Sequence, residues 1–168
     1  MSNILNLFLF GEITTEAVKP IIEKIIETDT MQTKTVNTIN LYINSEGGSV
    51  PDAFGLVDII LNSNTVINTY CVGLCCSAAT LVYLAGNRRY AYEHSTFVFH
   101  NISSDIQDMK RRDLEEYNKW LAVLEEWELK LYDNTTENMW LLDIINEDKE
   151  RRLTTEQALE LEIVTDMI

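Results

Sequence analysis

A serine, a histidine and two adjacent glycines stand in this sequence where they could do chemistry together. Ser77 lies in Gly73-Leu74-Cys75-Cys76-Ser77-Ala78-Ala79, where an apolar strand gives way to a helix of small residues. A serine at the start of such a helix has its hydroxyl at the positive end of the helix dipole, and the Ala78 amide behind it can donate. Gly47-Gly48 directly follow another strand. Without Cβ atoms they turn tightly and leave amides uncovered, as an anion or oxyanion site requires. His100 closes the apolar run that starts at Thr96. Attack by a serine hydroxyl needs a base for its proton, a group that orients the base, and N–H donors where negative charge develops. Ser77, His100, Gly48 and Ala78 supply all of these except the orienter. Each feature alone has a plainer reading: Ser77 as a helix N-cap, Gly47-Gly48 as an ordinary turn, His100 as a core residue. The Gly-x-Ser-x-Gly pattern of the α/β-hydrolase elbow is absent. The other histidine, His94, sits in a polar turn and reads as solvent-facing.

The elements that must position these residues emerge from periodicity. Residues 4–10 form a short, nearly continuous apolar run and predict a buried strand ended by Gly11. Helical spacing of Val18, Ile21, Ile22, Ile25 and Ile26 predicts a helix over 16–28, then a loop over 29–37. Strands are predicted over 38–44, 65–72, 89–92 and 96–100, and helices over 50–62 and 76–84, with Gly73 starting a turn. A long charged helix over 105–132 carries Met109, Leu114, Tyr117, Trp120, Leu121, Leu124, Trp127 and Leu131 as its apolar stripe. After it come a helix over 136–145 and the charged stretch 146–152. Thr154 and Gln157 make a capping box for a last helix over 155–161, and Ile163-Val164 read as a final strand. Alternation of strands and helices through the first hundred residues implies right-handed crossovers and a mostly parallel sheet. The long helix has no strand after it to close a crossover, so it reads as a projecting arm.

Bulk properties narrow the function classes. A chain of 168 residues, 46% hydrophobic, makes one domain with a real core. A formal charge of −14 repels phosphate backbones and anionic lipid, which argues against nucleic acid and membrane partners. No apolar run reaches the roughly 18–20 residues of a membrane span, and the N-terminus lacks the features of a signal peptide. Cys71, Cys75 and Cys76 are an odd, crowded set, suited to neither a disulfide framework nor a zinc site. They read as packing residues in a reducing compartment, and a cytoplasmic protein is expected.

Four segments resemble the Clp protease proteolytic-subunit family. LYINSEGGSV is similar to its strand and glycine turn, GLCCSAATLVYLAG to its nucleophile segment, FVFHN to its histidine strand, and RLTTEQALELEIV to its C-terminal segment. They stand in the family's order, and together they reverse the plainer readings of Ser77, His100 and Gly48. The resemblance implies an α/β fold with a ClpP/crotonase-like β-α-β superhelical core. It implies one domain, its head formed by 4–104 and 136–168 and its handle by 105–135. It implies a serine endopeptidase with Ser77 as nucleophile, His100 as base, and Gly48 and Ala78 as oxyanion donors. The position matching the family's aspartate is Glu150; Asp148 is the alternative orienter and Asp143 a more distant third. No metal or organic cofactor is implied. The implied partners are peptide or unfolded-protein substrates and further copies of the chain, in heptameric rings stacked in pairs and interlocked by the handle.

The chain also departs from the family pattern. Ala79, Glu46 and Glu162 stand at positions commonly glycine, proline and glycine, and Ser103-Ser104 replace paired glycines after the histidine strand. The family's propeptide and axial-pore segment have no counterpart before residue 4. That sets an ATP-driven unfoldase partner in question and suits a compact, viral genome. Two other classes stay open: a non-catalytic ring subunit or assembly factor, and a crotonase-like acyl-CoA enzyme, which would use the glycine-turn amides without needing Ser77 and His100.

Overall fold

The structure, a computed structural model, describes residues 3–30, 36–100, 111–135 and 150–168, and within 111–135 the side chains of 117–132. In β2 (Thr38–Ser45) the alternate residues Ile39, Leu41 and Ile43 are fully buried. In α1 (Thr15–Thr30) Val18, Ile21 and Ile25 form the facing stripe, and in α2 (Val50–Leu61) Phe54, Val57 and Ile60 do the same. An alternating strand and an amphipathic helix can each bury only one side, so they pack on one another. Helices thus cover one face of a sheet in which β1 (Ile4–Phe10), β2, β3 (Val66–Cys76), β4 (Arg89–Ala91) and β7 (Asp166–Met167) lie side by side and parallel. Parallel neighbours need crossovers, which α1, α2 and α3 (Ala78–Leu84) supply. The α/β class read from the sequence is the observed one.

The other face of the sheet carries a row of aromatics. Phe8, Tyr42, Tyr70 and Tyr90 are in register on β1 to β4, and their ring centroids are 5.6, 4.7 and 4.7 Å apart in succession. Strand β1 has the predicted bounds but is not buried: Ile4, Phe8 and Phe10 are exposed and only Leu9 is enclosed. An apolar run marks a strand without telling whether both faces are covered.

Strand β3 changes neighbours halfway along. Thr69–Cys71 pair with β4, and Leu74–Cys76 pair with β5 (Thr96–Phe99). Between them the register against β2 slips, so that Ile43 faces Cys71 but Ser45 faces Cys75. Gly73, at φ 93°, permits the bulge. Side chains satisfy its backbone: Asn44 Oδ1 accepts from Leu74 N–H at 3.1 Å, and Ser95 Oγ accepts from Gly73 N–H at 3.4 Å while donating to the Cys71 carbonyl at 2.9 Å. The predicted turn at Gly73 and helix from 76 are therefore corrected. The chain stays extended to Cys76 because β5 offers it a second ladder.

Strand β5 in turn pairs antiparallel with β6 (Arg151–Thr154), in a stretch that periodicity leaves without structure. After β6 the predicted capping box is present: Thr154 Oγ1 accepts from Gln157 N–H and Gln157 Oε1 accepts from Thr154 N–H, opening α5 (Thr155–Glu160). Ile163 and Val164 are not a strand. Glu162 adopts φ 59°, and the N–H groups of Ile163 and Val164 both reach the Ala158 carbonyl, closing the helix before β7 begins.

Helix α4 (Arg111–Thr135) falls within the segment predicted to be the arm. Among its described side chains Leu124, Glu128, Leu131 and Tyr132 are buried, whereas Trp120 and Trp127 are 43% and 41% exposed, so the buried stripe is rotated from the predicted one. Trp127 meets the Phe54 ring edge-on at 5.5 Å and Trp120 at 5.7 Å. The predicted helix turn 105–110 and the helix 136–145 lie outside the described residues.

Two substitutions near the C-terminus should move stability in opposite directions. Thr154→Ala removes the cap and should lower the unfolding free energy by about 1 kcal/mol. Glu162→Gly relieves a left-handed non-glycine residue and should raise it by about 0.5–1 kcal/mol, since the strain relieved exceeds the entropy glycine adds to the unfolded chain. Urea melts with unchanged slopes and shifted midpoints check both.

Candidate active site

Ser77 is where β3 ends and α3 begins, at φ 56° and ψ −130°. Few non-glycine residues adopt such a conformation, and a residue held there costs about 1–3 kcal/mol that its surroundings must offset. A cap would use the serine hydroxyl to accept from an amide of the first helical turn, but this hydroxyl makes no such bond. Its backbone is fixed instead: Ser77 N–H donates to the Val98 carbonyl at 2.9 Å, and Thr80 N–H and Oγ1 donate to the Ser77 carbonyl at 2.8 and 2.7 Å. The side chain is half-buried, at the end of a strand and the head of a buried helix. The plain N-cap reading of Ser77 does not describe this geometry.

The glycine turn presses on this elbow. A Cβ on Gly47 would stand 2.7 Å from the Cys76 carbonyl oxygen, 2.8 Å from Ser77 Cβ and 3.1 Å from Ala78 N. A Cβ on Gly48 would stand 2.4 Å from the Ile13 carbonyl oxygen. Both have positive φ, 95° and 143°. Gly48 is paired with Ile13 in a parallel bridge in which Ile13 N–H donates to Gly47 O and Ser49 N–H donates to Ile13 O. In such a bridge the flanking residues make the bonds, so Gly48's own N–H points away from Ile13. Ala78, the first residue of α3, has no intrahelical acceptor for its N–H. The turn and the elbow are thus in contact, each with an amide left to donate. Sequence reasoning singles out Gly48; the structure adds Gly47, whose missing Cβ makes room for Ser77.

The remaining candidates flank the ends of β5 and β6. Cys76 is opposite Val98 in the last pair of the β3–β5 ladder, and His100 directly follows Phe99, the last residue of β5. On the other side of β5, Phe99 is opposite Arg151 in the last pair of the antiparallel ladder, and Glu150 directly precedes Arg151. Ser77 Oγ makes no hydrogen bond among the described residues. The Glu150 carboxylate is engaged elsewhere: its Oε1 accepts from Arg152 Nε at 2.8 Å, with Nη2 also at 2.8 Å. Asp148 and Asp143 lie outside the described residues.

Cys76 samples the same field from the residue before the serine. Burial first, then Glu150 and, more weakly, Glu46, push its thiol up, against a downward pull from Arg152. It stays a thiol and is no rival nucleophile. Burial likewise keeps Cys75 protonated. Among the described residues no three His, Cys, Asp or Glu side chains are grouped to hold a metal ion, and no helix is long and apolar enough to cross a membrane.

An α/β fold with a serine elbow against a glycine turn defines the class, and comparison with known proteins gives the family. The Clp protease family model matches residues 1–168, and the chain belongs to that family. It is 33% identical over 92 residues to the ATP-dependent Clp protease proteolytic subunit of Pleurastrum terricola, a match covering 54% of this chain and 46% of that one. It is 31% identical over 115 residues to proteolytic subunit 2 of a Synechococcus strain, covering 67% and 57%. It is 29% identical over 144 residues to the subunit of Phalaenopsis aphrodite, covering 84% and 66%. The chain thus spans about half to two thirds of the length of these relatives. A solved structure of a ClpP1 mutant from Listeria monocytogenes superposes with a TM-score of 0.83 at 20% identity, covering 97% of this chain and 90% of that one, and shares its fold.

The close approach at the turn makes a direct prediction. Gly47→Ala or Gly48→Ala forces a Cβ into backbone atoms at a positive φ, and each should destabilise the chain by more than about 1 kcal/mol. Thermal melts of both, beside Gly55→Ala, where an added Cβ meets nothing within 4 Å, should show the loss at the turn only.

Proposed function

We propose that this chain is a serine endopeptidase subunit in which Ser77 Oγ attacks the peptide carbonyl and His100 accepts its proton. The observation that carries this reading is the Ser77 elbow: a non-glycine residue at positive φ, its hydroxyl without a hydrogen bond among the described residues, pressed against a glycine turn. The amides of Gly48 and Ala78 supply the oxyanion donors, and losing one such donor typically costs about 10²–10³ in rate. Glu150 orients His100, with Asp148 as the alternative. A glutamate can hold the imidazole tautomer and stabilise the imidazolium as an aspartate does. The hydrogen bond from Ser77 Oγ to its base is one that resting sites often lack and that tightens when substrate binds. The reaction needs no metal or organic cofactor.

The family implies rings of seven, stacked in pairs, that enclose the sites and admit peptides or unfolded chains. The half-exposed Trp120 and Trp127 on α4, and the exposed Leu61 that lines a cavity with Trp127, support burial against further copies, because large contiguous apolar groups on a surface mark contacts. One observation favours a second reading. The Arg152 grip on Glu150 suits a subunit that keeps the scaffold and has no active triad.

Hydrolysis of a short fluorogenic peptide by the purified protein, with Ser77→Ala as control, decides between them. The serine variant should be inactive and should lose rapid labelling by a fluorophosphonate. Equal rates in the two proteins would reject Ser77 as nucleophile. Of Glu150→Gln and Asp148→Asn, the variant that removes the true orienter should lose roughly 10⁴ in kcat, as loss of the triad carboxylate does elsewhere. Native mass spectrometry at micromolar concentration should show rings, and a monomer alone would end the chamber reading.

A further inference from the structure

The three residues assigned to catalysis leave one small part of the sheet at the same end. Its strands are β3, β5 and β6. At one end Leu74 is opposite Thr96 and Thr96 is opposite Thr154; at the other Cys76 is opposite Val98 and Phe99 is opposite Arg151. Ser77 directly follows Cys76, His100 directly follows Phe99, and Glu150 directly precedes Arg151. The β3–β5 ladder has three pairs and the β5–β6 ladder four, so few backbone bonds hold their register. A slip of one residue would turn every side chain of a strand to the opposite face. The register therefore needs a fixed point, and the end away from the catalytic residues supplies it.

Two buried hydroxyls stand at that end. Ser95, which directly precedes Thr96, is 2% exposed, and Thr155, which directly follows Thr154, is 0% exposed. Ser95 Oγ donates to the Cys71 carbonyl at 2.9 Å and accepts from Gly73 N–H at 3.4 Å. It thus spans the bulge. Cys71 is the last residue of β3 that pairs with β4, and Gly73 stands just before Leu74, the first that pairs with β5. The bond to Gly73 adds a side-chain rung ahead of the Leu74–Thr96 pair. Thr155 Oγ1 donates to the Tyr92 carbonyl at 2.7 Å, with the Ser95 carbonyl also in reach at 3.2 Å. Ser95 N–H donates to that same Tyr92 carbonyl at 3.0 Å, which closes the turn between β4 and β5. Helix α5 therefore grips the turn, and the turn grips the bulge. A hydroxyl that donates and accepts at once strengthens both bonds. Sliding β3 by one residue would take both of its partners away together.

We infer that Ser95 and Thr155 are positioning residues: their hydroxyls pin the register of β3, β5 and β6 at one end and so set Ser77, His100 and Glu150 relative to one another at the other. The effect on catalysis rests on Ser77 being the nucleophile; the pinning of the register does not.

The test is kcat and KM for hydrolysis of a fluorogenic peptide by the full chain and four variants, with amide hydrogen exchange over residues 72–78 followed by mass spectrometry. Ser95→Ala and Thr155→Val remove one hydroxyl each, the second with the shape of the side chain kept. Thr155→Ser keeps the hydroxyl. Ser63→Ala is the control for stability alone, because Ser63 Oγ donates to Asp29 and accepts from Thr65 N–H at the opposite end of β3. Ser95→Ala and Thr155→Val should each lower kcat roughly 10–100-fold with KM unchanged, the loss expected when reacting groups are misplaced by up to about 1 Å. Thr155→Ser should restore kcat, and Ser63→Ala should melt earlier with kcat intact. Exchange over 72–78 should quicken about ten-fold in Ser95→Ala and Thr155→Val and stay slow in Ser63→Ala, as local opening requires. Unchanged exchange in both hydroxyl-free variants, or a loss of kcat that Ser63→Ala matches, would overturn the inference. A wild type that hydrolyses nothing and takes no fluorophosphonate, beside faster exchange in Ser95→Ala and Thr155→Val alone, would sink the nucleophile reading and leave the register pin standing.

Discussion

The hydrogen bond from Ser77 N–H to the Val98 carbonyl carries β3 past the point where its outer neighbours end. Without it the strand would lose its last partner at Cys76, and nothing would oppose relaxation of Ser77 into an ordinary helix start. The strain at φ 56° is about 1–3 kcal/mol, comparable to a few net hydrogen bonds, so it persists only if several constraints act at once. The β5 ladder fixes the residues before Ser77. The two Thr80 donors fix its carbonyl. The seven residues of α3, all buried, anchor the chain on its C-terminal side. The glycine turn then leaves no room for the elbow to swing back, because Gly47 already lies where a side chain would strike Ser77 Cβ.

The same constraint explains why the sheet has a second part. Strand β5 could pair with β4 in a simple doubly wound sheet. The bulge at Gly73 instead bends β3 so that its second half meets β5, and β5 brings β6 with it. This small antiparallel extension sets the neighbourhood of His100 on one side and Glu150 on the other. The bulge is possible because Asn44 and Ser95 take over backbone bonds that the ladder drops; an unsatisfied pair of buried groups there would cost more than the bend gains.

Much of this architecture is legible in residue order. Strong periodicity predicts β1, β2, α1 and α2 nearly to the residue, and Thr154 with Gln157 announce α5 through their mutual bonding. The features that sequence reasoning misses share a cause: partners distant in the chain. Gly73 reads as a turn because glycine ends strands more often than it bulges them, and only β5 decides otherwise. Strand β6 has one buried side chain, Leu153, among charged ones, and is a strand because β5 needs a partner. On α4 the apolar residues point to a face through Trp120 and Trp127. The buried face runs through Glu128, a residue that pattern reading assigns to solvent by its charge. For the site, the order of four motifs points to Ser77, Gly48 and Ala78, whereas the role of Gly47 emerges only from the atoms it would strike.

The Arg152 grip on Glu150 bears on how such a site could work. A glutamate is one methylene longer than an aspartate, and two residues along an extended strand point to the same side, so Glu150 can reach Arg152 whenever nothing better is offered. The pair is open to water, with side-chain exposures of 70% and 49%, and exposed pairs are worth at most about 1 kcal/mol. An imidazolium forming on His100, were Glu150 in reach and a bound peptide shielding both from water, would attract the same carboxylate more strongly than a solvated guanidinium does. The grip would then yield as charge develops, and Glu150 would orient the base when it is needed without holding it beforehand.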